Sequence, residues 1–397
     1  MLRTRYIHKI KNTELFKRNL LVWSQQFEDV VWLDSNKYHQ TYSSYDAVLA
    51  VDGLTSIQSN AQNAFKNLKE YQTHIKDWIF GYLTYDLKND IETLESNNFD
   101  GLKFPEMYFF QPKKLFLIKG ATIEVRYLKA FKNEIKGDLN AIRHCEEERR
   151  GNLPNNIKIK LRIHKDSYFE KVTTMLAHIH RGDIYEANFC QEFYAEDIVI
   201  NPLETYFKLN EISKPPFAAF LKCVDLYLLS SSPERYLMKQ DQTIISQPIK
   251  GTAKRSTNLD EDELLKMKLS LDEKERSENI MILDLMRNDL SKTAIKGSVR
   301  VEEMCKVYTF DQVHQMISTV TSKIEKSTHP VDVIKSTFPM GSMTGAPKIS
   351  AMKIIEELEE TKRGLYSGAV GYFSPRGNFD FNVVIRSILY NETKKYV

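Results

Sequence analysis

Lys250 stands in the run Pro248-Ile249-Lys250-Gly251-Thr252, after a proline and before a glycine. A lysine amine is a nucleophile once its surroundings help it lose its proton. Glu234, in Ser232-Pro233-Glu234-Arg235, is a carboxyl that burial would turn into a general acid. Each residue alone also fits a surface charge. Glu275 and Glu278 lie three apart in the stretch Asp272 to Leu290, on one face if that stretch is helical. Met281 and Ile282 follow Glu278 by three and four residues, so its carboxylate sits at the head of an apolar stripe. Two like charges there are costly without a cation, and a hard, oxygen-liganded ion such as Mg2+ would offset the repulsion. Solvated acids stabilising a helix N-terminus are the other reading, and spacing alone favours it.

Near the end of the chain, Asp380, Asn382, Val384 and Arg386 alternate with Phe379, Phe381, Val383 and Ile385, the pattern of a strand with one polar and one core face. An arginine fork at Arg386 could grip a carboxylate with two hydrogen bonds. Gly368 and Gly371, on the partner strand, would leave room for a ligand to approach the backbone. An edge hairpin with a surface arginine and a glycine bulge accounts for the same residues. The run Gly341 to Lys348 is not a phosphate loop, because Ala346 and Pro347 separate its second glycine from the lysine. It reads instead as a helix start, with Thr344 or Gly345 near the cap and Pro347 near the first helical position. Glu356, Glu357 and Glu359 then fall on that helix's polar side.

The elements that must position these residues follow from periodicity. The N-terminus reads as a strand and then a helix. Val30 to Leu33 and Lys114 to Gly120 read as strands. Ser167 to Asp183 has helical spacing and a glycine at its end. Strands follow around Ser230 to Lys239 and from Thr243 to Arg255, the latter broken at Pro248 because proline cannot donate to a ladder. The last pair turns at Ser374-Pro375-Arg376-Gly377-Asn378, a hairpin signal. Strands in succession with helices laid outside indicate α+β. A charged run followed by Gly, Pro and paired Asn, Glu146 to Lys158, reads as a linker, and divides residues 1–155 from 156–397.

Composition narrows the classes further. The 397 residues carry 56 basic and 53 acidic side chains, a net charge of +3, with the signs interspersed. Nucleic-acid binding gains no support. No apolar run is long enough to span a bilayer, so a soluble protein is expected. Cys145, Cys190, Cys223 and Cys305 are far apart with no CxxC pair, which argues against a zinc site or a disulfide framework and fits a reducing cytoplasm.

From about Ser167 to Tyr390, the segments GDIYEANFCQEF, SSPERYL, PIKGT, DEKERSENIMILDLMRNDL, FPMGSMTGAPKISAMKIIEELE and SGAVGYFSPRGNFDFNVVIRS follow one another. Together they resemble the chorismate-utilising enzymes: anthranilate, aminodeoxychorismate, isochorismate and salicylate synthases. The resemblance implies a complex antiparallel β-sandwich with helices outside, to which both regions contribute strands. It makes Glu275 and Glu278 magnesium ligands, with the ion bridged to the ring carboxylate of chorismate. Arg386 and Tyr366 match residues that hold the enolpyruvyl side, and Ser342 a small hydroxyl residue near the substrate. Thr252, Gly368 and Gly371 fall in the matched substrate-binding segments, and Glu234 matches the acid that assists departure of the C4 hydroxyl.

Lys250 separates the branches of the family. Anthranilate synthases usually read PIAGT, aminodeoxychorismate synthases PIKGT, and the lysine is expected to attack C2 as the C4 hydroxyl leaves. Ammonia from a separate glutamine amidotransferase subunit would then add at C4, on the route to p-aminobenzoate and folate. Isochorismate and salicylate synthases carry a water-activating lysine in the segment where this chain has Glu186. Two departures stand out. His314 is followed by Gln315 where relatives often have a second histidine. The family's next strand, rich in glycine, and a helix with a second pair of magnesium-binding glutamates are not found before Val397, so a C-terminal segment is expected to be missing. Anthranilate synthase component I and an inactive chorismate- or glutaminase-binding subunit are the alternatives.

Overall fold

The computed structural model describes residues 3–38, 41–145 and 157–397. The expected linker lies outside the described residues as far as Asn156. The N-terminus forms the strand Arg3–Lys9 and the helix Thr13–Ser24, which Asn12 caps by accepting from the Leu15 amide. Most strands join one 16-stranded sheet in which every ladder is antiparallel. Strands from the two halves of the sequence interleave in it. Ile79–Leu83 pairs with Ala369–Phe373, and Asp29–Asp34 pairs with Phe217–Cys223.

Side-chain alternation sorts the sheet into three cores. On Ile79–Leu83, Ile79 and Leu83 face one core together with Phe109, Phe373, Phe381 and Val383, under the helices Ala64–Ile75, Glu273–Ser291 and Pro330–Thr337. Phe80 and Tyr82 face another, where Val48, Leu117, Leu228, Val370 and Val384, from strands several places apart in the sheet, meet with no helix among them. A third core, with Trp32, Leu49 and Phe116, lies under Thr13–Ser24, Ile135–Arg143 and Pro202–Ser213. The sheet therefore doubles over the middle core and carries helices on its outer faces, an antiparallel α+β sandwich. Phe373 and Phe381 meet at 5.1 Å in an edge-on pair, a contact worth about 1 kcal/mol beyond the area it buries.

The elements bearing the chemistry lie toward one end of this sheet. Thr243–Gln247 and Ile249–Lys254 run along the same side of Val313–Lys323, with Pro248 at the irregularity between them. Only the first of the two also pairs with Arg235–Gln240, so the sheet ends at the Lys250 segment. The helix Glu273–Ser291 packs across Val313–Lys323 through Asn279, Ile282, Leu283, Met286 and Leu290. Of the residues expected below Glu278, Ile282 joins this stripe while Met281 does not, because the buried face is headed by Asn279, one position further on. The helix Lys165–Arg181 ends at Gly182 with φ 83°, as its glycine implied.

The segment from Gly341 departs from expectation. Gly341–Met343 is a short 3-10 turn, and Gly345–Ala346 pairs with Glu186–Ala187. The helix Lys348–Leu358 starts after Pro347, so neither Thr344 nor Gly345 caps it; the Thr344 hydroxyl donates to the Met340 carbonyl instead. Glu359 is not on a polar face. It is buried in an ion pair with Arg363, 2.7 Å away, because Arg363 returns four residues later from beyond the helix end. Glu356, also read as solvated, faces buried Lys88 at 3.6 Å.

Candidate active site

Glu234 leaves the strand Leu226–Ser232 at a bend and re-enters the sheet through its carbonyl, which accepts from the Val383 amide at 3.1 Å. Its side chain is buried, and burial pushes the carboxyl up to about 7. Hydrogen bonds from the Ser342 side chain and the Ile249 amide oppose that rise, as do the charges of Lys250 and Arg386. The rise favours the protonated form, the state in which a carboxyl can act as an acid.

Lys250 extends from the end of the sheet and forms an ion pair with Glu186. Its backbone is fixed by Asn279, whose amide donates 3.0 Å to the Lys250 carbonyl and 3.1 Å to that of Met316. The Asn279 oxygen accepts from Ser318 at 2.5 Å. Gly251 follows with φ 96°, a conformation that favours glycine, and the Glu275 carboxylate lies 3.2 Å from where a Cβ would stand. The first turn of the helix thus brings Glu275 against the lysine segment.

Glu275 is held at the helix start, where Asp272 accepts from its amide at 2.9 Å. Glu278, one turn on, meets Lys274 at 3.6 Å with its side chain 33% exposed. The two carboxylates share a face and leave oxygens free for a further partner. Among the described residues no group of three or more His, Cys, Asp or Glu forms a metal cage. Two carboxylates fit a Mg2+ that keeps waters and takes the rest of its shell from substrate oxygens.

Arg386 follows the strand Phe379–Val383 and takes φ 51°. The strict alternation expected through Arg386 therefore stops short of it: the ladder ends at Val383 and the chain turns toward Ser387–Asn391. The Arg386 carbonyl accepts from Ser231 at 3.1 Å, which fixes the turn. Its side chain remains exposed, although surrounding protein lowers its pKa from the usual guanidinium value and Glu234 and Tyr366 oppose that shift. Burial pushes the Tyr366 hydroxyl up to about 12, with Arg363 and Arg386 pulling the other way. Asp380, on the expected polar face, is engaged by buried Arg235 at 2.9 Å.

Glu234, Ser342, Lys250 and Arg386 are thus neighbours, with Tyr366 beside Arg386 and Glu275 beyond Gly251. Thr252 lies further along the strand, exposed and opposite Gln315. Gln315 is buried, and its side-chain oxygen has no hydrogen-bond partner among the described residues. His314 points elsewhere, buried between Asp262 at 3.0 Å and Thr309 at 3.1 Å. The spaces beside Gly368 and Gly371 are filled by protein, Leu83 and Thr84 at the first and Asp380 and Phe381 at the second.

Two residues that motif reading passed over hold the site together. Asn279 is one, and as a buried polar residue on an apolar stripe it could have been flagged by periodicity. Arg363 is the other. Buried, it donates 2.6 Å to the Met343 carbonyl and 2.6 Å to that of Asn188, clamping the Ser342 turn to the segment after Glu186. The four-residue spacing from Glu359 was its visible signal.

A buried acid with a raised pKa, a lysine, an arginine and a pair of part-exposed carboxylates form a candidate site. The chain matches the family of chorismate binding enzymes over residues 28–397 and belongs to it. It is 39% identical over 224 residues to aminodeoxychorismate synthase component 1 of Escherichia coli K12, covering 56% of this chain and 49% of that one. The chain thus spans about half the length of that relative. The Bacillus subtilis protein of the same name is 30% identical over 411 residues, covering 92% of this chain and 86% of its own. Anthranilate synthase component I from Streptococcus pneumoniae superposes with a TM-score of 0.79 at 25% identity, covering 91% of this chain and 87% of that one. No helix among the described residues is long and apolar enough to cross a membrane.

Proposed function

We propose that the protein aminates chorismate with ammonia to give 4-amino-4-deoxychorismate, through a covalent adduct between Lys250 and C2 of the ring. The observation that carries this reading is Lys250 beside a buried carboxyl whose pKa lies at about 7. An amine nucleophile and a protonated acid are the two groups needed to form a bond at C2 while the C4 hydroxyl departs as water. Arg386, with Tyr366 at its side, is suited to a substrate carboxylate. The relatives named aminodeoxychorismate synthase component 1 support the same branch.

Glu275 and Glu278 would hold Mg2+, which when bound would neutralise and orient a ring carboxylate. The protein's own groups do the rest. Ser342 aims the Glu234 carboxyl, Asn279 holds the backbone of Lys250, and Arg363 clamps the Ser342 turn to the segment after Glu186. Ammonia would come from a separate glutamine amidotransferase subunit, and the product would feed p-aminobenzoate and folate synthesis in the cytoplasm. Residues 1–155 would contribute framework strands and helices, and 156–397 the chorismate-binding region.

The test is product identity. The protein is incubated with chorismate, ammonia and Mg2+, aminodeoxychorismate lyase is added, and products are separated and weighed by mass spectrometry. p-Aminobenzoate is expected. Anthranilate as the main product would assign the other aminating branch, and binding of chorismate without turnover would identify an inactive subunit.

A further inference from the structure

Resting on that reading of Lys250, we propose that Glu186 is the base that takes the ammonium proton of Lys250 before attack and returns it when the lysine is released.

Three carboxylates stand near Lys250, and two have other duties. Glu234 is bonded by Ser342 and Ile249, and it must be protonated to serve the leaving oxygen. Glu275 lies across Gly251 on the face it shares with Glu278. Glu186 is in direct contact with the Lys250 ammonium. Its side chain is 13% exposed, and neither of its oxygens has a hydrogen-bond donor among the described residues apart from that ion pair. A buried carboxylate normally collects several donors. One whose sole partner is the amine is free to accept a proton without first breaking other bonds.

Its position is also fixed. The two-residue strand Glu186–Ala187 pairs with Gly345–Ala346, and the flanking amides of Tyr185 and Asn188 donate to Ala346 at 2.7 Å and Thr344 at 3.0 Å. Gly345 has φ 144°, and a Cβ there would run into the Glu186 backbone. The Asn188 side chain donates 2.6 Å to the Ser342 carbonyl. The turn that orients the acid Glu234 through Ser342 therefore also sets the base, so the two proton-handling groups share one support.

The proton count closes. Glu186 takes one proton from Lys250, whose lone pair forms the N–C2 bond. The ring double bonds shift, the C4–O bond breaks, and Glu234 protonates the departing oxygen to give water. The ammonia lone pair then forms the C4–N bond, the double bonds return, and C2–N breaks to release the neutral amine. Glu186 gives its proton back to Lys250, and Glu234 recovers one from the new ammonium.

The experiment compares the full chain with Glu186→Gln, Glu186→Asp and Lys250→Ala. Each is incubated with chorismate and Mg2+ without ammonia, and the adduct is followed by intact mass after quenching. In parallel, the adduct rate is followed as a function of pH. In Glu186→Gln, adduct formation at neutral pH is expected to fall about 100-fold, the lower range for loss of a general base. The deficit should shrink as pH rises, because solvent then removes the proton that Glu186 no longer takes. Glu186→Asp should recover part of the adduct rate. A purely structural role would lower the rate by the same factor at every pH and would overturn the proposal, as would an unchanged adduct rate in Glu186→Gln. Absence of any adduct in the unaltered chain would remove the lysine step itself, and the role of Glu186 with it.

Discussion

Glu234 lies buried under Ser342 and Ile249, whereas Glu278, across the same site, is one-third exposed and meets Lys274 in a pair open to water. Both are glutamates of the proposed site. Around Glu234 the polar groups are pinned: Arg363 clamps the turn bearing Ser342, Asn279 holds Lys250, and Glu186 meets the ammonium. At the head of the helix, a surface pair such as Lys274–Glu278 contributes about 0–1 kcal/mol and holds little in place. Groups that move protons need a fixed charge environment, since burial sets their pKa. Groups that receive a hydrated cation need reach and solvent. Substitutions on the pinned side should therefore damage chemistry or folding, and those on the open side should alter only ion affinity.

The largest effect is expected at Glu234. Glu234→Gln should lower the rate of amination about 100- to 10,000-fold, the range for removing a general acid. In the unaltered protein the rate should fall as pH rises through about 7, because the acid form is the active one. Stability follows the same sign. The folded pKa lies above the ordinary 4.5, so folding takes up a proton, and the benefit is full below 4.5 and lost as pH rises through about 7. Thermal unfolding of Glu234→Gln should thus gain on the unaltered protein across that window. A Gln variant that lost ground as pH rose would mean that Glu234 is stabilised as the carboxylate.

Next is the clamp. Arg363→Ala strands Glu359 as a buried charge and frees the Ser342 turn, at a cost of about 3–5 kcal/mol in urea unfolding. Replacing both partners, Arg363→Met with Glu359→Gln, should recover much of it, because the cost lies in the orphaned charge. Loss of only a few tenths would show that the pinned side is pinned by something else.

Much of this architecture was legible in the sequence, and the limits have a common cause. The helix from Asp272, the hairpin at Ser374 to Asn378 and the break at Pro248 depend on local chemistry: a cap, an alternation, a missing donor. They stand where periodicity put them. Glu359 escapes periodicity because its partner lies past the helix end, and its burial depends on segments more than 150 residues earlier. Thr344 escapes the cap pattern for a similar reason. The chain around it forms a bridge to Glu186–Ala187, and pairing over that distance leaves no periodic trace. Alternation failed at Arg386 through a single left-handed residue, which the surrounding β-branched run did not announce.

On the open side, Glu278→Gln should weaken Mg2+ activation about 10- to 100-fold while leaving the unfolding midpoint unchanged, measured as the Mg2+ concentration for half-maximal rate. A fall in stability of the size seen for Arg363→Ala would erase the contrast between the two sides.

The sharpest probe is Asn279, because it lies on the same helix as Glu275 and Glu278 but faces inward. Asn279→Ala removes the donor to the Lys250 and Met316 carbonyls and the acceptor for Ser318. Each group left without a partner in the core costs about 1–3 kcal/mol. The consequence for chemistry should be separate from that for the ion: kcat falls as Lys250 loses its backbone anchor, while the Mg2+ dependence stays where it was. Were the Mg2+ dependence to shift instead, the helix would couple its two faces, and the division between a pinned and an open side would fail at the residue where they lie one position apart.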